Sequence, residues 1–234
     1  MADISENAEN DRTVVVFGGA GVLGRAVVER LVADGFAAVA ADMGVPDDDH
    51  RVAGAEYTTV DASSEASVAA VLEERRVGLW GVINVIGGYT PPQKLGDLDL
   101  ATLRQQLELN LVTGAVVTKH AVAALSTSGR GGRILHTSSR AAVGDGSNAF
   151  AYSVSKLAVV RLVEAAAAEV RDLGITVNCI LPSIIDTPTN RSAMPNANHD
   201  RWPKPEELAA VLSFLASDAA GIISGAAIPV YGLA

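Results

Sequence analysis

The chain has 234 residues, 49% of them hydrophobic and only 4% aromatic, with a net charge of −9. That length and apolar content support one large α/β domain with a substantial core. An acidic balance without a basic stripe argues against nucleic acid and anionic membrane surfaces as partners. The single cysteine, Cys179, rules out an internal disulfide and reads as a small buried hydrophobe in ITVNCIL. No signal-peptide pattern opens the chain and no uncharged apolar run reaches membrane-spanning length, so a soluble cytoplasmic protein is expected.

In chain order, residues 1–12 are polar and acidic and read as a mobile tail ahead of a single domain over 13–234. Thr13–Phe17 is a β-branched run, expected as a fully buried strand. Val22–Ala33 has helical periodicity and Gly35 ends it. Phe36–Ala41 is a second buried strand, ending at Asp42, and 43–55 reads as loop. Tyr57–Val60 is a short strand ending at Asp61, followed by a helix over Glu65–Arg75 with Ser63 or Ser64 as its cap. Leu79–Val85 is a strand that runs into the loop IGGYTPP. Asp99 caps a long helix reaching about Leu125. GRGGRILHTSS is a turn and then a strand. Tyr152–Leu173 is a second long helix, closed by Gly174, and Ile175–Leu181 is a strand ending at Pro182. Residues 183–203 are irregular, Glu206–Leu215 is a helix, and Ala226–Tyr231 the last strand. Strand and helix alternate throughout, with about seven strands, so right-handed crossovers build a doubly wound parallel sheet in a single domain. The helix from Tyr152 is apolar on most faces, which favours packing against a partner subunit.

In such a sheet, ligands bind at the carboxyl ends of the strands. There the stretch FGGAGVLG offers backbone N–H groups and a helix N-terminus to a pyrophosphate. It has two registers. Gly19, Gly21 and Gly24 spell the general dinucleotide fingerprint. Gly18 and Gly24 fit the outer glycines of a longer loop, with Val22 in place of the middle glycine. A β-branched residue is comfortable only at negative φ, so Val22 is expected in helical geometry, with Gly21 left to allow close approach. Asp42 lies where a carboxylate takes the adenosine ribose hydroxyls. It would repel a 2′-phosphate, no arginine follows it directly, and Asp47, Asp48 and Asp49 add negative charge. NAD(H) is therefore expected over NADP(H). Asp61, at the end of the third strand, either holds an adenine amino group or caps a helix.

Tyr152 and Lys156, in YSVSK, are four apart at a helix start and share a face. A nearby ammonium favours the phenolate and lowers a phenol pKa from about 10, which makes an acid/base pair for an alcohol proton. Ser139 lies thirteen residues earlier, at the end of the preceding strand, where its hydroxyl suits a substrate oxygen. Asn110 is either an exposed polar residue or a buried amide pinning a water or a backbone group.

These pieces, in order, resemble the short-chain dehydrogenase/reductase family: the glycine loop, Asp42, Asp61, NVIGG from Asn84, Asn110, Ser139, YSVSK, and LPSIIDT ending at Thr187. The resemblance spans nearly everything after residue 12. It implies a Rossmann-type fold with seven parallel strands and a nicotinamide cofactor. It implies that Tyr152 exchanges the proton. Lys156 would hold the nicotinamide ribose and lower the tyrosine pKa, Ser139 orient the carbonyl, and Asn110 support a water-linked proton path. Gly18, Gly21, Val22, Leu23, Gly24, Asp42, Asp61, Ala62, Asn84, Gly87, Pro182, Ile185 and Thr187 would line the cofactor. The implied activity is NAD(H)-dependent interconversion of a carbonyl and a hydroxyl group, and the implied assembly a homodimer or homotetramer through helices near 100–125 and 152–172. Phe17, Val22 and the pair Pro182-Ser183 depart from the family pattern, and the loop after Asp42 is short for the usual second helix.

FGGAGVLG, IGGYT and the stretch from Leu181 to Trp202 are similar to the dihydropteridine reductase branch. There an aromatic at the Tyr89 position lines the substrate site. That branch characteristically lacks the serine and asparagine that this chain has as Ser139 and Asn110. Carbonyl chemistry is thus the first reading and reduction of a quinonoid pterin the second. A non-catalytic NAD(H)-binding sensor is the alternative of another class. The loop from Asp186 to Pro203 is expected to cover the substrate, with Asn190, Arg191, Met194 and Trp202 as candidates to face it; a pairing of Arg191 with Asp186 or Asp200 is the favoured role for that residue. His50, His120, His136 and His199 lack metal-ligand spacing, so no metal is expected.

Overall fold

A computed structural model describes residues 12–234. Seven strands form one sheet: β1 (Thr13–Phe17), β2 (Ala37–Asp42), β3 (Glu56–Thr59), β4 (Leu79–Asn84), β5 (Gly132–Thr137), β6 (Ile175–Pro182) and β7 (Ala227–Val230). Their order is β3-β2-β1-β4-β5-β6-β7 and every pairing is parallel. The order reverses between β1 and β4, which opens a crevice at the carboxyl ends of those two strands.

The helices are α1 (Val22–Ala33), α2 (Glu65–Glu74), α3 (Leu100–Leu107), α4 (Thr113–Ser126), α5 (Phe150–Glu169), α6 (Pro188–Ala193) and α7 (Pro205–Ala216). Alternate residues of β1 serve two cores, which is why its sequence is apolar without a break. Val14 and Val16 pack with Val28 and Leu31 of α1 and Leu208 and Leu212 of α7. Val15 and Phe17 face the other way, into a core shared with Leu72 of α2, Leu125 of α4 and Val163 of α5. Cys179 is buried in that second core, as expected.

Three expectations are corrected, the second of them at Arg12 alone. The long helix after Asp99 is not uniform: Asp99 does cap it, accepting from Ala101 N–H (2.9 Å), but a π-turn over Glu108–Val112 interrupts it. The tail expected over 1–12 lies, but for its last residue, outside the described residues. Arg12 is held: its guanidinium stacks 4.0 Å from the Trp80 ring and pairs with Asp218 (2.9 Å). The stretch 183–203 contains helix α6. By length and composition the helical run Leu100–Ser126 is apolar enough to cross a membrane; half of it is buried, against α2, α5 and the sheet, as befits a core helix. Helix α2 is capped by Ser64, which accepts from Ser67 N–H (3.3 Å).

Candidate active site

The glycine loop joins β1 to α1. Gly18 has φ +83°, a conformation that favours glycine, and Gly21 is extended with Val22 as the first helical residue. Val22 therefore sits in helical geometry, as expected. A methyl group on Gly24 would overlap the Gly18 carbonyl oxygen, and one on Gly19 would stand 2.7 Å from the Ala40 backbone. Glycine at 24 lets α1 start against the loop, and glycine at 19 lets the loop lie on β2. The N-terminus of α1 has no side-chain cap, so its first-turn N–H groups suit a pyrophosphate. Asp42 stands beside this loop: one carboxylate oxygen accepts from Ala20 N–H (3.0 Å), the other from Met43 N–H (2.8 Å). The first cation beyond it, Arg51, is tied to the Pro46 carbonyl (3.0 Å) and to Asp48 (2.9 Å). Between them only a short 3-10 turn, Asp48–His50, fills the place of a second helix. Asp61 caps its own turn, accepting from the backbone and hydroxyl of Ser63 at 2.9 and 2.6 Å, and these bonds hold its carboxyl below the usual range. Ala62 beside it is buried.

The loop after β4 crosses the crevice from Asn84 to Gly88, held at both ends by buried amides. Asn84 Oδ1 accepts from Ile86 N–H (3.1 Å). Asn110 Oδ1 accepts from Gly88 N–H (3.1 Å), and its Nδ2 faces Gly88 O (3.2 Å), Gln106 Oε1 (3.2 Å) and Ser155 Oγ (3.0 Å). The π-turn carries Asn110. Its side chain pins the loop backbone, the second of the two roles open to it from sequence. A methyl group on Gly87 would stand 2.6 Å from Lys156 Nζ and 2.8 Å from Asn110 Oδ1.

Behind Gly87, the first turns of α5 bring Tyr152 and Lys156 beside Ser138 and Ser139 from the end of β5. Ser138 Oγ donates to the Lys156 carbonyl (2.7 Å), locking α5 to the strand. Lys156 Nζ donates to Thr137 O (2.9 Å), and burial pulls its ammonium pKa down to about 8. Tyr152 is pushed above the usual phenol value, first by burial; the Ser139 hydroxyl opposes this and Tyr89 adds to it. The expected lowering by Lys156 is thus corrected: desolvation is the largest influence, and Ser139 rather than Lys156 is what opposes it. Ser139 Oγ accepts from Ala141 N–H (3.2 Å), so its O–H is directed to the Tyr152 oxygen, the contact that opposes the upward shift.

Tyr89 reaches this centre, with its ring edge-on to Tyr152 at 5.0 Å and 58% of its surface exposed. The remaining substrate candidates are used inside their own loop. Asn190 Nδ2 donates to Ile185 O (2.8 Å), and Arg191 forms a two-pronged pair with Asp186 (2.5 and 2.8 Å). Trp202 is buried against His199, at 4.6 Å between rings, and Met194 closes α6 half-buried. Thr187 caps α6, accepting from Asn190 N–H (3.2 Å), and Pro182 ends β6 at the crevice. Val22, Thr187, Pro188 and Lys204 line one shallow groove of about 300 Å³, so the glycine loop and the loop after β6 meet. Among the described residues no three of His, Cys, Asp and Glu converge as metal ligands.

Gly88, Gln106 and Ser155 support the site and were not singled out from the sequence. Ser155 lies inside YSVSK, and its place on the helix face beside Tyr152 is a signal that was available. Gln106 has none, since the π-turn between it and Asn110 carries no sequence mark.

Residues 18–232 match the family model described as enoyl-(acyl carrier protein) reductase. The chain is 33% identical to cis-4-hydroxycyclohexanecarboxylate dehydrogenase of Sinomonas cyclohexanicum, covering 95% of this chain and 96% of that one. It is 30% identical to 2,5-dichloro-2,5-cyclohexadiene-1,4-diol dehydrogenase of Sphingobium indicum, covering 99% and 98%. Dihydropteridine reductase of Dictyostelium discoideum matches at 28%, over 85% of this chain and 84% of that one. Among solved structures, a short-chain type dehydrogenase/reductase from Mycobacterium ulcerans superposes with TM-score 0.85 at 28% identity, covering 95% and 89%. The seven-stranded parallel sheet, the glycine loop at its switch point and these matches agree: the chain belongs to the short-chain dehydrogenase/reductase family, oxidoreductases that use nicotinamide cofactors.

Proposed function

We propose that this protein is an NAD(H)-dependent enzyme that interconverts a secondary alcohol and its ketone on a small cyclic substrate, with Tyr152 as proton donor and acceptor. The observation that carries this is the convergence of Ser139, half-buried Tyr152 and buried Lys156 at the carboxyl end of β5. The ring substrate is suggested by the two dehydrogenase relatives, whose names specify alcohols on six-membered carbocycles.

A bound nicotinamide dinucleotide supplies or takes up the hydride. Gly18, Gly21, Val22, Leu23 and Gly24 would cradle its phosphates, and Asp42 would take the ribose hydroxyls. Asp61 and Ala62 would meet the adenine; Asn84, Gly87, Lys156, Pro182, Ile185 and Thr187 would line the rest. Asp42 and the distant, occupied Arg51 favour NAD(H) over a 2′-phosphorylated cofactor. Burial keeps Tyr152 a neutral phenol at neutral pH, poised to protonate the oxygen of a ketone under reduction. Ser139, whose O–H lies beside the Tyr152 oxygen, would steady the same substrate oxygen. In the reverse direction Tyr152 must lose its proton first, so oxidation gains rate as the pH rises. NADH absorbance with a panel of cyclic ketones tests the reading. Turnover is expected with NADH in preference to NADPH; tighter NADPH binding overturns the role given to Asp42.

A second reading, reduction of a quinonoid pterin, is favoured by the exposed Tyr89 ring against Tyr152 and by the dihydropteridine reductase relative. Ser139→Ala separates the two: ketone reduction should slow strongly and pterin reduction hardly at all. A non-catalytic sensor would bind NADH yet turn over neither class, and Tyr152→Phe would change nothing.

The proposal includes a homo-oligomer. Phe150, Val154 and Leu157 of α5 and Val112 of the π-turn leave apolar surface exposed. Light scattering should give a dimer or tetramer, and Leu157→Glu should reduce it.

A further inference from the structure

One buried titratable side chain lies outside the proton chemistry just described. His136 is 1% exposed in β5, and the register of β4 and β5 places it directly opposite Asn84. Asn84 Nδ2 lies 3.4 Å from His136 Nδ1, and His136 Nε2 lies 2.9 Å from Thr118 Oγ1 of α4. Thr118 Oγ1 is also 2.8 Å from Gly114 O.

The direction of every bond follows from one fixed donor. Ile86 N–H can only donate, so the Asn84 atom facing it is the oxygen. The Asn84 amide nitrogen then faces His136 and donates, so Nδ1 must accept. The imidazole proton therefore sits on Nε2 and goes to Thr118 Oγ1. The threonine hydroxyl hydrogen is left for the Gly114 carbonyl. Any other protonation of His136 would set two donors against each other at Asn84. Burial, and then the Lys156 charge, hold the ring neutral, with a pKa lowered to about 4.

The chain ends at the crevice. Ile86, held by Asn84, is the residue that Gly18 packs against: a methyl group on Gly18 would stand 3.1 Å from the Ile86 side chain and 3.2 Å from its nitrogen. Rotation of the Asn84 amide would break its bond to Ile86 N–H beside the glycine loop, where Val85 N–H stays bonded to Phe17 O (3.0 Å). We propose that His136 and Thr118 are positioning residues that fix the Asn84 amide through this single-direction relay, and so hold the Asn84–Gly88 loop in the form that accepts the dinucleotide.

This rests on the cofactor reading above, and two readouts keep the two apart. In the protein without cofactor, nitrogen-15 NMR of His136 should show a proton on Nε2 and a bare Nδ1 at neutral pH. A proton on Nδ1, or an imidazolium, overturns the relay whatever the cofactor does. Failure of the unaltered protein to bind NADH in a fluorescence titration counts against the cofactor reading instead. In that titration, isosteric Thr118→Val should weaken NADH binding about fivefold, the scale of one buried hydrogen bond. His136→Leu should weaken it at least as much, and adding Thr118→Val to His136→Leu should cost nothing more. His136→Asn, which returns an acceptor at the Nδ1 position, should recover most of the loss. NADH binding by Thr118→Val equal to that of the unaltered protein, or simple addition of the two losses, overturns the proposal.

Discussion

Three residues carry the chemistry proposed, and each is shaped by what surrounds it. Tyr152 is held protonated by burial rather than ionised by Lys156. Tyr152→Phe should lower turnover at least about 100-fold while NADH binding stays within a small factor, read by steady-state rates and fluorescence titration. Gly87 has a different part: its missing side chain leaves room for Lys156 Nζ and Asn110 Oδ1. Gly87→Ala should therefore weaken both NADH binding and turnover without unfolding the protein. Unchanged binding in that variant would mean the loop yields at no cost. At this scale the sequence singled out Ser139, Tyr152 and Lys156, which the fold brings together. The pairing of Arg191 with Asp186 was the role it favoured, but it could not tell that Asn190 and Trp202 would also be used by their own loop, because neighbours close in sequence compete with a substrate for the same groups.

Elements were legible wherever periodicity is long and caps are explicit. α1, α2 and the six strands given bounds fall within one or two residues of them, and β5 lies inside the stretch expected as turn and strand. The glycine loop sits between two such elements, and its tolerance is set by their contact. Gly24→Ala should destabilise the fold by about 1–3 kcal/mol, since α1 must lift off the Gly18 carbonyl; chemical denaturation would read this. Leu212→Ala, in the core between α7 and α1, should cost about 2–5 kcal/mol and leave NADH affinity unchanged. The π-turn at Glu108–Val112 was not legible. Its residues have ordinary helical character, and the extra residue in the turn goes with the bonds that Asn110 makes to Gly88 and Ser155, both distant in sequence.

Over the whole molecule, the buried imidazole links the stability of the fold to pH. His136 has a folded pKa of about 4 against an ordinary value of 6.5. The folded state therefore binds fewer protons than the unfolded state between those values. Its contribution is fully present above pH 6.5 and is lost as the pH falls to about 4, a total of about 3 kcal/mol. Denaturation midpoints should fall over that window in the unaltered protein. The fall should be shallower in His136→Asn, which has no imidazole to charge. Equal slopes would show that His136 stays solvated enough to titrate normally. Lys156 acts in the other window: its folded pKa of about 8 lies below 10.5, so stability rises as the pH increases from 8 to 10.5.

By itself the sequence determined the alternation of strands and helices, the parallel sheet, the glycine loop and the polar residues proposed for the reacting centre. Those follow from local rules: periodicity, glycine where backbone must bend or approach, and polar residues at strand ends. Only the tertiary structure decided which polar atoms remain free. Desolvation sets the protonation of Tyr152 and Lys156, the π-turn aims Asn110, and the pairing of β4 with β5 brings His136 to Asn84. Each depends on neighbours distant in sequence, because burial and hydrogen-bond competition are properties of the packed chain and not of any segment within it.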